Sequence, residues 1–171
     1  MTPVALVPGV PALLPEHASL TDPVADLRAA CRTAVGRIAG PGSAVRVVAG
    51  PQGLRVAEHL LEEVAARATG DASYDAVLVV GNGSARRTEK APGHLDERAS
   101  AFDDALDRAL RETDRAALRS VDRDLAGDLL AEVDGLPDLA AAVPAGIAAD
   151  VLYADDPFGV QYWVVVWDAI P

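Results

Sequence analysis

A short, fully apolar strand followed by a glycine-rich polar segment is the feature that most constrains this fold. The run Ala76–Val80 is rich in β-branched residues and is typical of a buried strand. Gly81-Asn82-Gly83 allows a sharp turn, and the polar residues 84–90 follow before a helix begins near Asp96. In α/β proteins, binding sites form where such strands end. The sequence therefore predicts that part of any site lies in this segment.

Apolar and amphipathic runs alternate along the rest of the chain. Strands are predicted over residues 2–7, 44–49, 76–80, 151–153 and 160–167, and helices over residues 23–38, 54–68, 98–111, 114–121, 124–133 and 139–148. The first three strands alternate with the first two helices, a pattern typical of a mostly parallel sheet covered by helices. We therefore predict one α/β domain over residues 1–171, with a central mixed, mostly parallel sheet flanked by helices.

The composition of the chain argues against several classes of protein. The formal net charge is −11, which repels phosphate backbones and anionic membrane surfaces, so we expect no nucleic-acid or membrane partner. The N-terminal segment contains prolines and no basic residue, unlike a signal peptide, and the single cysteine, Cys31, excludes an intramolecular disulfide. These features predict a cytoplasmic protein with an inert buried thiol, and they leave a homo-oligomer open.

Three histidines are candidates for chemistry: His17, His59 and His94. His59 precedes Glu62 and Glu63, but a zinc framework of the HExxH type needs a second histidine one turn away, which is missing. A solvated pair of His59 with a glutamate and a surface His17 are the simpler interpretations. His94 lies in the polar segment after the central strand and is the candidate proton donor, although a loop histidine without function is an equal alternative.

The same polar segment is a candidate anion site. The backbone of residues 81–84, together with the guanidinium groups of Arg86 and Arg87, could surround a small anion. Neither a Walker lysine pattern nor a GxGxxG motif is present to support it. The alternative is an ordinary β-turn followed by arginines that form salt bridges with Glu89, Asp96 or Glu97. The sequence does not decide between these two interpretations.

Three segments together resemble a known family. The run GNGSARRTEKAPGHLDERASAFDDAL is similar to the G-D-x-S-H-R segment of class III extradiol ring-cleavage dioxygenases, the LigB-like superfamily. ALVPGVPALLPE resembles the first strand and loop of that family, and DDPFGVQYWVVVW resembles its closing strand. The segments occur in the same order and span most of the chain. The similarity is greatest to a small branch from GC-rich bacteria that shares the run SARRTEKAPGHLDER.

The resemblance implies a LigB-like fold and, in the family, Fe(II) held by two histidines and a glutamate, with another histidine as acid and base. The family's first-loop histidine would fall at Gly9, and the loop of residues 50–53 contains no histidine. The histidine and aspartate of G-D-x-S-H would fall at Ala85 and Asn82, and no residue matches the glutamate. Because glycine and alanine neither bind iron nor move protons, we expect no metal ligands, no cofactor and no iron-dependent ring cleavage.

The sequence leaves three hypotheses open. The first is a non-catalytic relative, or pseudoenzyme, that keeps a pocket at the strand ends and binds a small anionic or aromatic ligand. The second is an enzyme, either an iron dioxygenase acting on catechols with substituted ligands or a metal-free hydrolase or transferase that uses His94 and Arg86. The third is a structural partner protein whose polar loop is an interface. For the first hypothesis, the predicted ligand-binding residues are Asn82, Ser84, Arg86, Arg87, Glu89, Lys90, His94 and Asp96.

Overall fold

The computed structural model describes residues 1–169, which form one six-stranded sheet. The strands are β1 (Val4–Val7), β2 (Ala44–Val48), β3 (Arg67–Thr69), β4 (Ala76–Val80), β5 (Asp150–Asp155) and β6 (Tyr162–Trp167). Their order across the sheet is β3-β2-β4-β1-β6-β5. The β3–β2, β2–β4 and β4–β1 pairs are parallel, whereas β1–β6 and β6–β5 are antiparallel. The predicted α/β fold with a mixed, mostly parallel sheet is therefore confirmed.

Helices cover both faces of this sheet. They are α1 (Ala25–Ile38), α2 (Pro51–Glu63), α3 (Ala99–Glu112), α4 (Arg115–Arg119), α5 (Arg123–Asp128) and α6 (Leu136–Ala142). Two single 3-10 turns, Pro11–Leu13 and Pro15–His17, lie between β1 and α1. The apolar residues of α1 and α2 pack on one face, and those of α3 to α6 pack on the other.

The central strands contribute alternate side chains to two separate cores. In β1, Ala5 and Val7 face α1 and α2, whereas Val4 and Leu6 face the remaining helices. Every residue of β1, β4 and β6 is buried as a result. A strand covered on both faces is a continuous apolar run in the sequence, which is why these three strands could be predicted.

The helix predicted over residues 54–68 is wrong at both ends. The helix begins earlier, at Pro51, and ends at Glu63, and Arg67–Thr69 forms the edge strand β3 instead. Ala65 adopts a left-handed conformation with φ 55°, and the backbone N–H of Ala66 donates to the carbonyl of Leu61 at 3.0 Å. This is the hydrogen bond of a Schellman-type helix end, made here without glycine. No local signal in the sequence therefore marks the stop.

The helix predicted over residues 124–133 is also too long. Observed α5 ends at Asp128, and Leu130 then adopts a left-handed conformation with φ 56°. The chain turns back, and Glu132 pairs with Asn82 in an isolated antiparallel β-bridge. The helix predicted over residues 139–148 lies instead at Leu136–Ala142. The early end of α5 and the turn after it place residues 127–132 at the carboxyl end of β4.

Among residues 1–169, none of the helices has both the length and the apolar character that crossing a membrane requires.

Candidate functional site

A cleft lies where the parallel strands β1, β2 and β4 end. Its volume is about 510 Å³. Residues from four loops and helix starts line it, and we call it the strand-end cleft: Gly9, Gly50, Pro51, Gln52, Gly53, Val80, Asn82, Gly127, Leu130, Ala131 and Glu132. The carboxyl ends of parallel strands are where α/β proteins bind ligands, so the position of this cleft agrees with the expectation from the sequence.

Glycine at position 53 allows the close packing that forms the floor of the cleft. A Cβ atom at Gly53 would lie 2.7 Å from Cγ1 of Val80, which is closer than real side chains approach. The start of α2 can therefore rest directly on the end of β4 only because position 53 lacks a side chain. By contrast, a Cβ atom at Gly50 would have Oε1 of Glu132, at 4.0 Å, as its nearest contact. The space above Gly50 is thus open and is bounded by the Glu132 carboxylate.

Asn82 joins two sides of the cleft through its side chain and its backbone. The backbone N–H of Gly9 donates to Oδ1 of Asn82 at 3.2 Å. The backbone of Asn82 exchanges hydrogen bonds with that of Glu132, at 3.1 Å and 3.0 Å. Because Gly9 needs an acceptor, the amide oxygen faces Gly9, and the amide nitrogen makes no hydrogen bond to another residue of the described chain. That nitrogen remains available as a donor to a ligand.

Glu132 supplies an acidic group to the cleft. Within residues 1–169, its carboxylate forms neither an ion pair nor a hydrogen bond. Burial raises the pKa of this carboxyl, and the negative charge of Asp134 raises it further. Glu132 is nevertheless an exposed residue, so its carboxylate is a solvent-accessible hydrogen-bond acceptor with no partner in the described chain.

The beginning of α2 supplies backbone donors to the same cleft. The N-cap residue, Gly50, has no side chain to accept from the first turn of this 13-residue helix. The backbone N–H groups of Gln52 and Gly53 make no hydrogen bond to any other described residue. Such groups carry the partial positive charge of a helix N-terminus. The strand-end cleft thus contains backbone hydrogen-bond donors from the start of α2, and the Glu132 carboxylate lies near these donors.

The predicted polar loop, residues 84–96, is held in place by hydrogen bonds. Ser84 is completely buried, and its backbone N–H donates to Oδ1 of Asp103 at 2.8 Å. Its hydroxyl oxygen accepts from the backbone N–H of Arg86 at 3.0 Å. Ser84 therefore closes a turn, and its side chain is used inside the protein.

Both predicted arginines of the loop have protein partners. Arg86 donates to the carbonyl oxygens of Asp128 at 3.0 Å and His94 at 3.4 Å, and its guanidinium lies 3.8 Å from the Asp96 carboxylate. Arg87 donates to Asp103 at 2.9 Å and to Asp156 at 2.7 Å. Although burial alone would lower the pKa of Arg87, these two hydrogen bonds raise it overall. The arginines thus fasten the loop to α3, to the end of α5 and to the turn between β5 and β6.

The remaining predicted residues lie on the outer side of the loop. The side chains of Glu89, Lys90 and His94 are exposed, and Nδ1 of His94 is 3.4 Å from the Glu89 carbonyl oxygen. Asp96 accepts from Arg98 at 2.8 Å, and this hydrogen bond holds the pKa of its carboxyl well below the usual range. Of the eight predicted residues, Asn82 lines the strand-end cleft and the other seven belong to the polar loop.

Two residues of the cleft were missed by the sequence interpretation. Gln52 lies in the first turn of α2, in a segment that the sequence interpretation treated as a loop and in which the resemblance drew attention only to a histidine. Glu132 was placed inside a predicted helix, and a long-range β-bridge brings it to Asn82. Of these two residues, Glu132 is the one that no local sequence pattern could have indicated.

The donor groups of the cleft do not fit the Fe(II) centre that the family resemblance implies. Gly9 and Gly50 have no side chain, and Glu132 is the one carboxylate among the described residues that line the cleft. His17 and His59 line a different cavity, and His94 is on the polar loop. No cluster of three or more histidine, cysteine, aspartate or glutamate side chains within residues 1–169 has the geometry to hold a metal ion. The residues of the strand-end cleft therefore do not supply the ligands of such a centre.

No model of a known protein family matches the chain, and no curated protein is significantly similar to it.

Proposed function

We propose that this protein binds a small hydroxylated aromatic molecule in the strand-end cleft and does not catalyse iron-dependent ring cleavage. The observation that carries the proposal is the Glu132 carboxylate, which has no partner in the described chain and bounds the open space above Gly50. A hydroxyl group of the ligand would donate to this exposed carboxylate in place of water. The amide nitrogen of Asn82 would then donate to the same or a neighbouring ligand oxygen.

The walls of the cleft favour an aromatic ligand over a simple anion. Val80, Leu130 and Ala131 supply apolar surface, against which a ring can pack. An anion would gain from the N-terminus of α2 but would be repelled by Glu132 at close range. A phenolic ligand uses both features, because its hydroxyl groups donate to a carboxylate and accept from N–H groups.

The family resemblance supports the same ligand class. Extradiol dioxygenases act on catechols, and a relative that lacks the iron-binding histidines would retain the shape of the pocket without the reaction. If instead the protein is an iron dioxygenase with substituted ligands, protein purified after growth with ferrous salt will contain stoichiometric iron and will form yellow ring-opened product from catechol. The proposal predicts neither result.

The proposal is tested by filling the cleft with a side chain. The φ of −71° at Gly50 is compatible with any residue, and its Cβ would point into open space near Glu132, so Gly50→Leu should fold and block the site. Gly36→Leu is the matched control, because Gly36 is exposed on α1 and a Cβ there meets nothing within 4 Å. Catechol binding, measured by calorimetry, should weaken at least about tenfold in Gly50→Leu and stay unchanged in Gly36→Leu.

A variant of the polar loop tests whether the ligand binds there instead of in the strand-end cleft. Arg86→Ala removes a guanidinium that lies on the loop and does not line the cleft. If Arg86→Ala abolishes catechol binding while Gly50→Leu preserves it, the ligand binds at the polar loop and the cleft proposal is wrong. If wild-type protein binds no catechol at all, the proposed ligand class is wrong.

A further inference from the structure

A second cavity lies between the two 3-10 turns, α1 and α2, and shares no lining residue with the strand-end cleft. Its volume is about 270 Å³. We call it the arginine–histidine pocket, and its lining is Ala12, Leu14, Pro15, His17, Ala18, Ser19, Asp22, Pro23, Arg28, Arg32, His59 and Glu63. Two of the three histidines in the chain and two arginines meet here, although the chain as a whole has a net charge of −11.

Helical spacing places charged and imidazole side chains of α1 and α2 together in this pocket. Arg28 and Arg32 are four residues apart on α1, and His59 and Glu63 are four residues apart on α2, so each pair shares one face of its helix. Arg32 and Glu63 then join the two helices through hydrogen bonds of 2.9 Å and 2.7 Å. The pocket is therefore framed by two helices that the apolar core already fixes in position.

The two carboxylates of the pocket are each matched by an arginine. Asp22 accepts from Arg28 at 2.8 Å, and Glu63 accepts two hydrogen bonds from Arg32. These partners lower the pKa of both carboxyls, in each case mainly through the arginine hydrogen bond. With both carboxylates ionised and both arginines charged, the four groups sum to zero. The charge of the pocket is then set by the imidazoles of His17 and His59.

Several donors in the pocket have no partner among residues 1–169. Nη1 of Arg32 makes no hydrogen bond, because Glu63 engages only Nε and Nη2. The side chain of His17 also makes none, and Nε2 of His59 is 3.6 Å from Oε1 of Glu63, beyond normal hydrogen-bond distance. Most N–H donors of Arg28 already have acceptors in the protein, since Arg28 also donates to the carbonyls of Ala12 and Leu13 at 2.8 Å each.

We propose that the arginine–histidine pocket binds a tetrahedral oxyanion of the phosphate-ester class, and that this binding strengthens as the pH falls from 8 to 5.5. The Arg32 guanidinium and the imidazoles of His17 and His59 supply donors from three side chains, and a dianionic tetrahedral group gains more from positive donors than a monoanionic carboxylate does. Histidine is the side chain that in general gains positive charge as the pH falls over this range, which is the reason for the expected pH dependence. Charged neighbours outside the lining include Glu16 and Arg55, which pair with each other, and Glu58 and Glu62, which flank His59 on α2.

The size of the pocket suits a compact ligand. A volume of about 270 Å³ corresponds to about nine water molecules at the volume that each occupies in the liquid. That space accommodates an oxyanion together with a small organic group. We therefore expect a compact phosphate ester to fit.

Inorganic sulfate is the probe, because its charge stays constant between pH 5.5 and 8. Calorimetry at constant ionic strength should give an affinity about tenfold higher at pH 5.5 than at pH 8.0, the scale of one added, partly screened charge near the anion. Sulfate should perturb the backbone amide signals of Ser19, Arg32 and His59 in NMR spectra and leave that of Lys90 unchanged. Acetate at the same concentration should bind at least about tenfold more weakly than sulfate.

Variants separate the pocket from general salt effects. His59→Gln and Arg32→Gln should each remove most of the sulfate binding at pH 5.5, and His94→Gln on the polar loop should not change it. His17→Gln provides a further variant if Arg32→Gln does not fold. Equal affinity at both pH values, equal binding of acetate, or unchanged binding in His59→Gln would overturn the proposal. None of these measurements involves catechol, so the outcome is independent of the function proposed for the strand-end cleft.

Discussion

The buried carboxylate of Asp103 holds the polar loop on the fold, and its removal should be costly. The side chain of Asp103 is 1% exposed and accepts from the Ser84 backbone N–H at 2.8 Å and from Arg87 at 2.9 Å. In Asp103→Ala, a buried backbone donor loses its acceptor, which costs roughly 1–3 kcal/mol. Arg87 loses one of its two partners but keeps Asp156, so the roughly 3–5 kcal/mol cost of breaking a buried ion pair is only partly incurred. We expect the free energy of unfolding to fall by about 3 kcal/mol.

The source of this loss can be tested with a second substitution. Burial raises the pKa of the Asp103 carboxyl despite its hydrogen bonds to Ser84 and Arg87, so the charge itself is poorly accommodated. Asp103→Asn keeps an acceptor for Ser84 and removes the charge, and we expect it to cost about 1–2 kcal/mol, less than the alanine variant. The energies are measured by urea unfolding at pH 7, monitored by tryptophan fluorescence.

Asp104→Ala is the matched control, because Asp104 is the next residue on α3 and its side chain is exposed. That variant should change the free energy of unfolding by no more than about 0.5 kcal/mol. If Asp103→Ala is no more destabilising than Asp104→Ala, the polar loop does not depend on the Asp103 hydrogen bonds. If Asp103→Asn costs more than Asp103→Ala, the reasoning about the buried charge is wrong.

Two further predictions concern single side chains. Burial raises the pKa of Cys31 to about 12, so a disulfide reagent at pH 8 should leave the folded protein unmodified and react with one thiol in urea, whereas rapid labelling of the native protein would contradict its burial. The Arg98 guanidinium lowers the pKa of Asp96, so that carboxyl should stay ionised at pH 3 in carbon-detected NMR and become protonated more readily in Arg98→Gln. Because the folded pKa is the lower one, the stability from this pair is present above pH about 4 and is lost as the pH falls further. An unchanged titration of Asp96 in Arg98→Gln would show that the pair is absent in solution.

Most of the fold could be predicted because its central strands and long helices carry strong periodic signals. Val4–Val7, Ala76–Val80 and Tyr162–Trp167 are apolar throughout since both faces of the sheet are covered. The edge strand Arg67–Thr69 could not be predicted. It has three residues, none of them fully buried, and it follows a helix end formed by a left-handed alanine.

The candidate site was predicted only in part, because it depends on contacts between distant parts of the chain. The position of Asn82 after a buried strand identified it as a site residue, and the structure places it in the strand-end cleft. Arg86 and Arg87 look like ligand-binding residues in a sequence. Arg86 lies 3.8 Å from Asp96, one of the salt-bridge partners that the alternative interpretation named, whereas Arg87 pairs with Asp103 and Asp156, which that interpretation did not name. Glu132 reaches the cleft through a bridge that spans 50 residues of sequence, from 82 to 132. Local patterns reveal neither the partners of Arg87 nor the position of Glu132.

The most direct test of the proposed function is a titration of isotopically labelled protein with catechol, followed through backbone amide NMR signals. The cleft proposal predicts that the signals of Gly9, Gln52, Asn82 and Glu132 shift in a saturable manner. It also predicts that these shifts disappear in Gly50→Leu, while the signals of Glu89 and Lys90 stay in place. Shifts confined to the polar loop, or no saturable shift at any residue, would contradict it.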